Sequence, residues 1–469
     1  MSLVRRSAAM AATVTTVAAI AVGASGAAVT SSTPYPLVQQ LTPAQAVLLS
    51  TDTAPSPSAN ATRRIFTPPG IQGSYHLPAL YAEGLTGAGK TIAIVDSFGY
   101  DEAASDLKTF SQDYGLPLMC GMPDVACQPG MATFSTLESG NHQVKAPPGG
   151  SQAPGQEASN AWSVEVALDI EYAHTIAPGA NILLVSTPTA ETLGVQGLPN
   201  MMNAEQEVVD GHLADVVSQS FGTAEGAFGS AVSLQNLRHA FQSGTAAGIT
   251  FLASSGDDGS TGSSKTPVGK GGSLLPDPEV GWPASDPLVT AVGGTNLCTD
   301  VATGTTVDST DGPADCQSGD RETAWNGSGG GFSHVFARPD YQSGVPAIPS
   351  GSRGVPDISM NASCTTYVVV LDTAPGYGGY YGVCGTSEAS PMFSGIIAIA
   401  DQAAGHDLGN INSRLYSGQL AGEYDVTKGD NVQAGTGIPG YSAGTGWDAV
   451  TGWGTPADAQ AFVHALAGK

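Results

Sequence analysis

Positive charge is what this chain has least of. Its 469 residues include 16 lysines and arginines against 41 aspartates and glutamates, a net charge of −25. So sparse a cationic surface is ill-suited to neutralising phosphates or adhering to anionic lipid, which argues against nucleic acid and membrane as partners. Histidine is also scarce, with 8 in the chain, and none stands in a His-Gly-Thr-His context. The absence of Cys-x-x-Cys and of mixed Cys/His spacing disfavours zinc. Beyond the first 28 residues no segment is apolar enough for a transmembrane helix. No repeat with a period of about 20 to 50 residues stands out, so solenoids and propellers are not expected.

What is present describes a compact, loop-rich globular protein: 62 glycines, 31 prolines and only 12% charged residues. The acidic surface loses much of its self-repulsion as pH falls towards the pI of about 4.3, so acid tolerance is consistent with it. At the N-terminus Arg5 and Arg6 precede the apolar run Ala8 to Val22 and the small residues Gly23 to Ala28. This pattern predicts a signal peptide over 1–28 and a secreted, extracellular protein, and the arginine pair hints at twin-arginine export. A Ser/Thr/Pro/Ala-rich stretch, 29–65, reads as a linker or short pro-segment, leaving 66–469 as a single domain. The six cysteines suit an oxidising compartment as disulfides. Fifteen connectivities are open, and Cys120/Cys127, Cys298/Cys316 and Cys364/Cys384 are the short-loop choice.

The run Lys90 to Asp96 is continuously apolar up to its final aspartate and predicts a buried parallel strand. Similar runs follow at Asn181–Ser186, Ala214–Ser220, Ile249–Ser254, Leu288–Val292 and Tyr367–Leu371. Helical patterns at Ala158–Thr175, Leu234–Ala247 and Pro391–Ala404 separate several of them. Such alternation implies an α/β fold with a mostly parallel central sheet and helices on both faces, functional residues lying in loops at the carboxyl ends of strands. Two Gly/Pro/Ser-rich insertions, Ser139–Ser159 and Ser260–Leu275, read as surface loops.

The chemistry centres on Gly385-Thr386-Ser387, followed by Pro391 and the apolar run from Met392. A serine at a helix N-terminus sits where backbone N–H groups and the helix dipole favour developing negative charge, although serines also serve there simply as caps. Pro391 reads as a first-turn proline. Elsewhere, Glu165 and Asp169 stand at i and i+4, so they share one helix face while Glu171 points away. With Val164, Val166, Leu168, Ile170 and Ala173 around them, that face reads as buried, and two buried carboxyls titrate as a unit. Asp257, in Ser-Gly-Asp-Asp-Gly after a strand, is either an Asx-turn former or an acid held protonated to donate to an oxyanion.

Together with Ile-Ala-Pro-Gly-Ala at 176–180, Trp282-Pro283-Ala284-Ser285 and Val292-Gly293-Gly294-Thr295, these motifs make the chain resemble the sedolisins, the serine-carboxyl peptidases, in their kumamolisin-like form, over about residues 70 to 465. The resemblance implies a subtilisin-like fold and an acid-active serine-type peptidase working through an acyl-enzyme, as an endopeptidase or a tripeptidyl-peptidase. It implies Ser387 as nucleophile, Glu165 as general base and acid, Asp169 as the carboxylate orienting Glu165, and Asp257 as oxyanion donor. It also implies a C-terminal Ca²⁺ site from the carboxylates of Asp425 and Asp448 and the carbonyls of Val426, Gly444 and Gly446, a donor set of hard oxygens that suits calcium. Ser218, Ser220, Phe221 and Gly222 correspond to the family's strand edge beside the substrate cleft, with Phe221 where kumamolisin-like sequences often carry tryptophan. A protein or peptide is the expected substrate and a monomer the expected state. One departure is the short stretch before the catalytic region, where family precursors usually carry a large folded prodomain.

Two other readings compete. Asp96 ends a subtilisin-like Ile-Val-Asp-Ser, which would suit a Ser/His/Asp peptidase, but His142 and His174 lack the glycine-rich surroundings of such a histidine. The second is a noncatalytic secreted binding protein on the same scaffold.

Overall fold

A computed structural model of the chain describes residues 45–60, 63–141, 156–188, 195, 197–263, 273–306, 316–433 and 435–469. The expected signal segment, the expected linker as far as 44, residues 142–155 and 264–272 of the two insertions, and His142 lie outside the described residues.

The chain opens with β1 (Gln45–Ser50), β2 (Ser58–Asn60), β3 (Arg63–Phe66), α1 (Pro68–Ser74) and α2 (Leu77–Ala82). The α/β alternation follows: β4 (Thr91–Ser97), α3 (Ala103–Tyr114), β5 (Phe134–Glu138), α4 (Gln156–Ile176), β6 (Asn181–Thr187), α5 (Leu198–Asp210) and β7 (Val216–Gln219). After β8 (Thr223–Ala224) come α6 (Ala231–Gln235), α7 (His239–Ala246), β9 (Thr250–Ser254), β10 (Gly281–Trp282), β11 (Thr290–Leu297) and β12 (Glu322–Ala324). The last part holds β13 (Gly331–Phe332), β14 (Gly354–Val355), β15 (Ile358–Asn361), β16 (Thr366–Asp372), β17 (Gly379–Cys384), α8 (Thr386–Ala404), α9 (Asn412–Leu415) and α10 (Ala459–Leu466).

The main sheet has the order β12-β11-β9-β7-β4-β6-β5, with β15 also pairing β11, and is parallel except at β12. Side chains of β4 show why it needs cover on both sides. Ile92 and Ile94 enter a core with Leu168 and Ile170 of α4 and Ile396 and Ile399 of α8. Ala93 and Val95 point the other way, into a core with Met201 and Val208 of α5 and Phe241 of α7. Period-2 alternation with apolar residues on both faces is what a doubly covered parallel strand requires.

Several expectations need correction. The stretch read as linker is ordered from Gln45 on: β1 pairs antiparallel with β17, and β2 and β3 join β16 in a second, five-stranded sheet of order β1-β17-β16-β3-β2. Its apolar Ala46, Val47, Ile65 and Phe66 are buried, and this short apolar content is hidden in sequence by the surrounding Ser, Thr and Pro. Tyr367–Leu371 is a strand of that same sheet, antiparallel to β17, rather than part of the parallel one. The helix expected over Leu234–Ala247 is two helices, α6 and α7, with Arg238 between them forked onto Asp286 at 2.5 and 2.8 Å. The disulfides are Cys120–Cys127, Cys298–Cys316 and Cys364–Cys384, the short-loop choice. The third joins Cys364, two residues before β16, to the end of β17, immediately before the Ser387 turn.

Candidate active site

Gly385 adopts φ 136°, ψ 161°, a conformation open essentially to glycine alone, and this turns the chain from β17 into α8. The helix begins at Thr386, so Ser387 lies in its first turn, and Pro391 is inside the helix rather than at its start. That corrects the first-turn reading of Pro391 and has a local consequence. Proline has no N–H, so the Ser387 carbonyl four residues earlier loses its helical donor. Ser220, just beyond β7, replaces it: its hydroxyl donates to the Ser387 carbonyl at 3.3 Å. One turn on, the Ser218 and Ser390 hydroxyls meet at 3.0 Å. Ser387 itself is buried, and its Oγ has no hydrogen-bond partner among the described residues.

Asp257 follows β9 in a turn whose Gly256 has φ 114°. Its Oδ1 accepts from both the Thr386 backbone N–H (2.7 Å) and the Thr386 hydroxyl (2.9 Å), while that hydroxyl accepts from the Gly256 N–H at 3.0 Å. Its Oδ2 is buried and has no hydrogen-bond partner among the described residues. Burial pushes this carboxyl up to about 7, against the opposing hydrogen bonds from Thr386. Below neutrality Asp257 is therefore an acid whose free oxygen can carry the proton beside Ser387.

Glu165 and Asp169 are both fully buried on α4, which packs directly against α8. Burial raises Asp169 well above the ordinary carboxylate range, with Asp96 and Glu165 adding like-charge repulsion. Glu171 does turn elsewhere: its Oε2 accepts from the Leu371 N–H at 3.1 Å.

Asp96 had drawn attention only as a subtilisin-like strand end. It is fully buried at the end of β4, neither oxygen has a hydrogen-bond partner among the described residues, and burial holds it at about 8. Facing Asp169, it makes the pair a group of three carboxyls. The available signal was an aspartate closing an otherwise apolar strand. His174 has no such neighbours: it is buried, its Nε2 lies 2.8 Å from the Pro117 carbonyl, and desolvation lowers it to about 4.

Ser218 and Ser220 present their hydroxyls to α8, and Phe221 is fully buried in the core on the other face of the sheet. A Cβ on Gly222 would lie 3.3 Å from the Trp282 carbonyl. What this stretch can offer an extended peptide is therefore chiefly its backbone.

The two C-terminal segments lie side by side. Asp425 Oδ2 accepts from the Gly446 N–H and Asp448 Oδ2 from the Gly444 N–H, both at 2.9 Å, and Val426 is buried between neighbouring strands and loops. Asp425 Oδ1 is buried without a hydrogen-bond partner among the described residues. No group of three or more His, Cys, Asp or Glu side chains among the described residues is placed to hold a metal. Two carboxylates supplemented by backbone carbonyls, with one carboxylate oxygen left bare, nevertheless fit a hard cation.

The family model described as Subtilase family matches residues 150–415. The chain belongs to the subtilase family. Among curated subtilase relatives it is similar to kumamolisin of Bacillus sp. (strain MN-32), 32% identical over 85% of this chain and 63% of the relative. Sedolisin of Pseudomonas sp. (strain 101) is 30% identical over 81% and 58%, and human (Homo sapiens) tripeptidyl-peptidase 1 is 32% identical over 70% and 55%. The chain thus spans between about half and two thirds of these relatives' lengths. A solved structure of Pseudomonas sedolisin, a serine-carboxyl proteinase complexed with two molecules of pseudo-iodotyrostatin, matches with a TM-score of 0.63 and 28% identity, covering 86% of this chain and 97% of that one. Within the subtilases, the resemblance to sedolisins stands.

Proposed function

We propose that the chain is a secreted, acid-active serine-type peptidase that hydrolyses peptide bonds in proteins or peptides, as an endopeptidase or a tripeptidyl-peptidase. The observation that carries this reading is the asymmetry of Asp257. One oxygen is saturated by Thr386, and the other is bare next to the residue that precedes an unbonded Ser387 hydroxyl. A carboxyl in that state is a preorganised O–H donor for an oxyanion.

Ser387 Oγ attacks the scissile carbonyl carbon while Glu165 takes the hydroxyl proton, and the carbonyl oxygen, now negative, accepts from protonated Asp257. Glu165 returns the proton to the departing amine as the C–N bond breaks, leaving an acyl-serine. Water then attacks the acyl carbon with Glu165 again as base, and the acid product leaves with Ser387 reprotonated. Asp169, whose own carboxyl is raised by burial and by Asp96 and Glu165, keeps its proton and orients Glu165, leaving the base as the member of the group that ionises. A glutamate base has an ordinary pKa of about 4.3 and stays competent where a histidine of about 6.5 would be protonated. The held position of His174 against Pro117 disfavours the Ser/His/Asp alternative.

The carboxylates of Asp425 and Asp448 and the carbonyls of Val426, Gly444 and Gly446 would hold Ca²⁺, which would supply cross-linking of the C-terminal loops rather than chemistry. The backbone beyond β7, at Ser220–Gly222, would pair with an extended substrate, whereas Ser218 lies within β7, which β4 and β9 pair on both sides, and has no free edge. Secretion rests on the N-terminal leader pattern of Arg5, Arg6, the apolar run Ala8 to Val22 and the small residues that follow. The acidic surface favours neither nucleic acid nor anionic lipid as a partner, and the working state is read as a monomer.

Acid quenching during turnover of a peptide ester, followed by peptide mapping, tests the reading. An acyl adduct on the peptide containing Ser387, absent from Ser387→Ala, is expected. Turnover with an adduct on another residue would overturn it.

A further inference from the structure

Ser387 is gripped through both of its chain neighbours. Thr386 is tied to Asp257 on one side. On the other, Glu388 is fully buried and its Oε1 accepts from Asn361 Nδ2 at 2.7 Å. Asn361 ends β15 and is saturated: its Nδ2 also donates to the Thr366 carbonyl (2.7 Å), and its Oδ1 accepts from the Leu297 N–H (3.2 Å) and the Thr366 hydroxyl (2.6 Å). The Gly385 N–H donates to the Ala362 carbonyl at 2.7 Å beside it. One amide therefore connects the first turn of α8 to β11, β15 and β16. The backbone N–H of Asn361 in turn meets the Tyr75 hydroxyl at 2.8 Å, and Tyr75 reaches Glu322 at 3.3 Å.

Glu388 Oε2 is buried and has no hydrogen-bond partner among the described residues. The titratable groups that act on it or feel its charge are Asp257 from the turn after β9, Tyr75 after α1 and Tyr172 on α4, and each is an acid. A buried carboxyl with one neutral amide donor and only acids around it is held in its neutral form. An ionised Glu388 would repel an ionised Asp257, so the neutral form is also the one compatible with a pair of carboxyls flanking Ser387.

We propose that Glu388 is a positioning residue for the reaction: bonded to Asn361, it is the second anchor of the nucleophile turn, fixing Ser387 relative to Asp257 without placing a negative charge beside the oxyanion donor. The inference rests on the peptidase reading above. Its chemical requirement is a neutral acceptor of the right length at position 388, which glutamine satisfies and methionine, of similar shape, does not.

The test compares kcat and KM per active site, at pH 4, for the wild-type chain, Glu388→Gln, Glu388→Met and Asn361→Ala, with Ser387→Ala as the blank. Glu388→Gln should retain kcat to within about threefold, and Glu388→Met should lose about ten- to a hundredfold in kcat with KM little changed, because misplacing a nucleophile costs rate rather than binding. Asn361→Ala should resemble Glu388→Met, and combining the two should cost little more than either. Equal kcat in the Gln and Met variants would overturn the proposal while leaving the peptidase reading intact. If the Met variant does not fold, the Gln variant decides, and a loss beyond about tenfold there overturns it. A wild-type chain that cleaves nothing overturns both.

Discussion

Thr386 donates twice to a single oxygen of Asp257, through its N–H at 2.7 Å and its hydroxyl at 2.9 Å, while that carboxyl's other oxygen is buried and unbonded among the described residues. This relationship joins the turn after β9 to the first turn of α8. It fixes the orientation of the Asp257 carboxyl by the residue next to Ser387, so the two cannot drift apart independently.

With Asp257 held at about 7 by burial, the O–H donor is present below that pH and lost above it. The rate should therefore fall as pH rises through about 7. Asp257→Asn, which keeps an N–H donor in place of the O–H, should flatten that alkaline limb, and Asp257→Ala should cost about 10²–10³ in kcat. A pH-rate profile for the three proteins checks this; an unchanged alkaline limb in the Asn variant would contradict it.

The bond from Ser220 to the Ser387 carbonyl exists because Pro391 supplies no N–H. Ser220→Ala should destabilise the protein by about 1–3 kcal/mol, the cost of a buried carbonyl left unsatisfied. In a Pro391→Ala background the new helical N–H takes over, so the Ser220→Ala penalty should shrink. A double-mutant cycle by thermal or denaturant unfolding measures the coupling, and strict additivity would rule out the compensation.

Carboxyls held high by burial make stability depend on pH in a stated direction. Asp96 is held at about 8, and Asp372 and Glu322 at about 7, whereas in the unfolded chain they titrate near 4. Between about pH 4 and 8 the folded state binds more protons than the unfolded, so their contribution is fully present below about 4 and drains away as pH rises through 7 to 8. Tm should decline across that window, and Asp372→Asn, which removes one such proton, should make the decline shallower. A Tm that climbs from pH 4 to 8 would contradict this.

If the loops around Asp425 and Asp448 hold Ca²⁺, chelation should lower Tm and added Ca²⁺ should restore it in proportion to the logarithm of its concentration above Kd. Asp425→Asn should abolish the response. Identical melting with chelator and with millimolar Ca²⁺ would remove the metal from the account.

Much of this was legible in sequence because it is local. The i, i+4 spacing of Glu165 and Asp169 among apolar neighbours already implied a buried pair, and the apolar runs ending at Asp96, Ser220 and Ser254 marked parallel strands. The cysteine spacing pointed to the three short-loop disulfides. What was not legible depends on partners far away in the chain. Asp96 gains meaning only from Asp169 on α4, packed over the same face of β4, Glu388 only from Asn361, and Ser220 only from the carbonyl that Pro391 leaves open. The strands β1 to β3 were not legible because their short apolar stretches sit among Ser, Thr and Pro and their pairing partners in β16 and β17 lie some 300 residues on.

The most direct test of the central claim is hydrolysis of an unfolded protein from pH 2 to 8 by the wild-type chain, Ser387→Ala and Glu165→Gln. Cleavage greatest in acid and lost in both variants is the predicted result. Cleavage that peaks near neutrality, or that survives Glu165→Gln, would contradict a glutamate base.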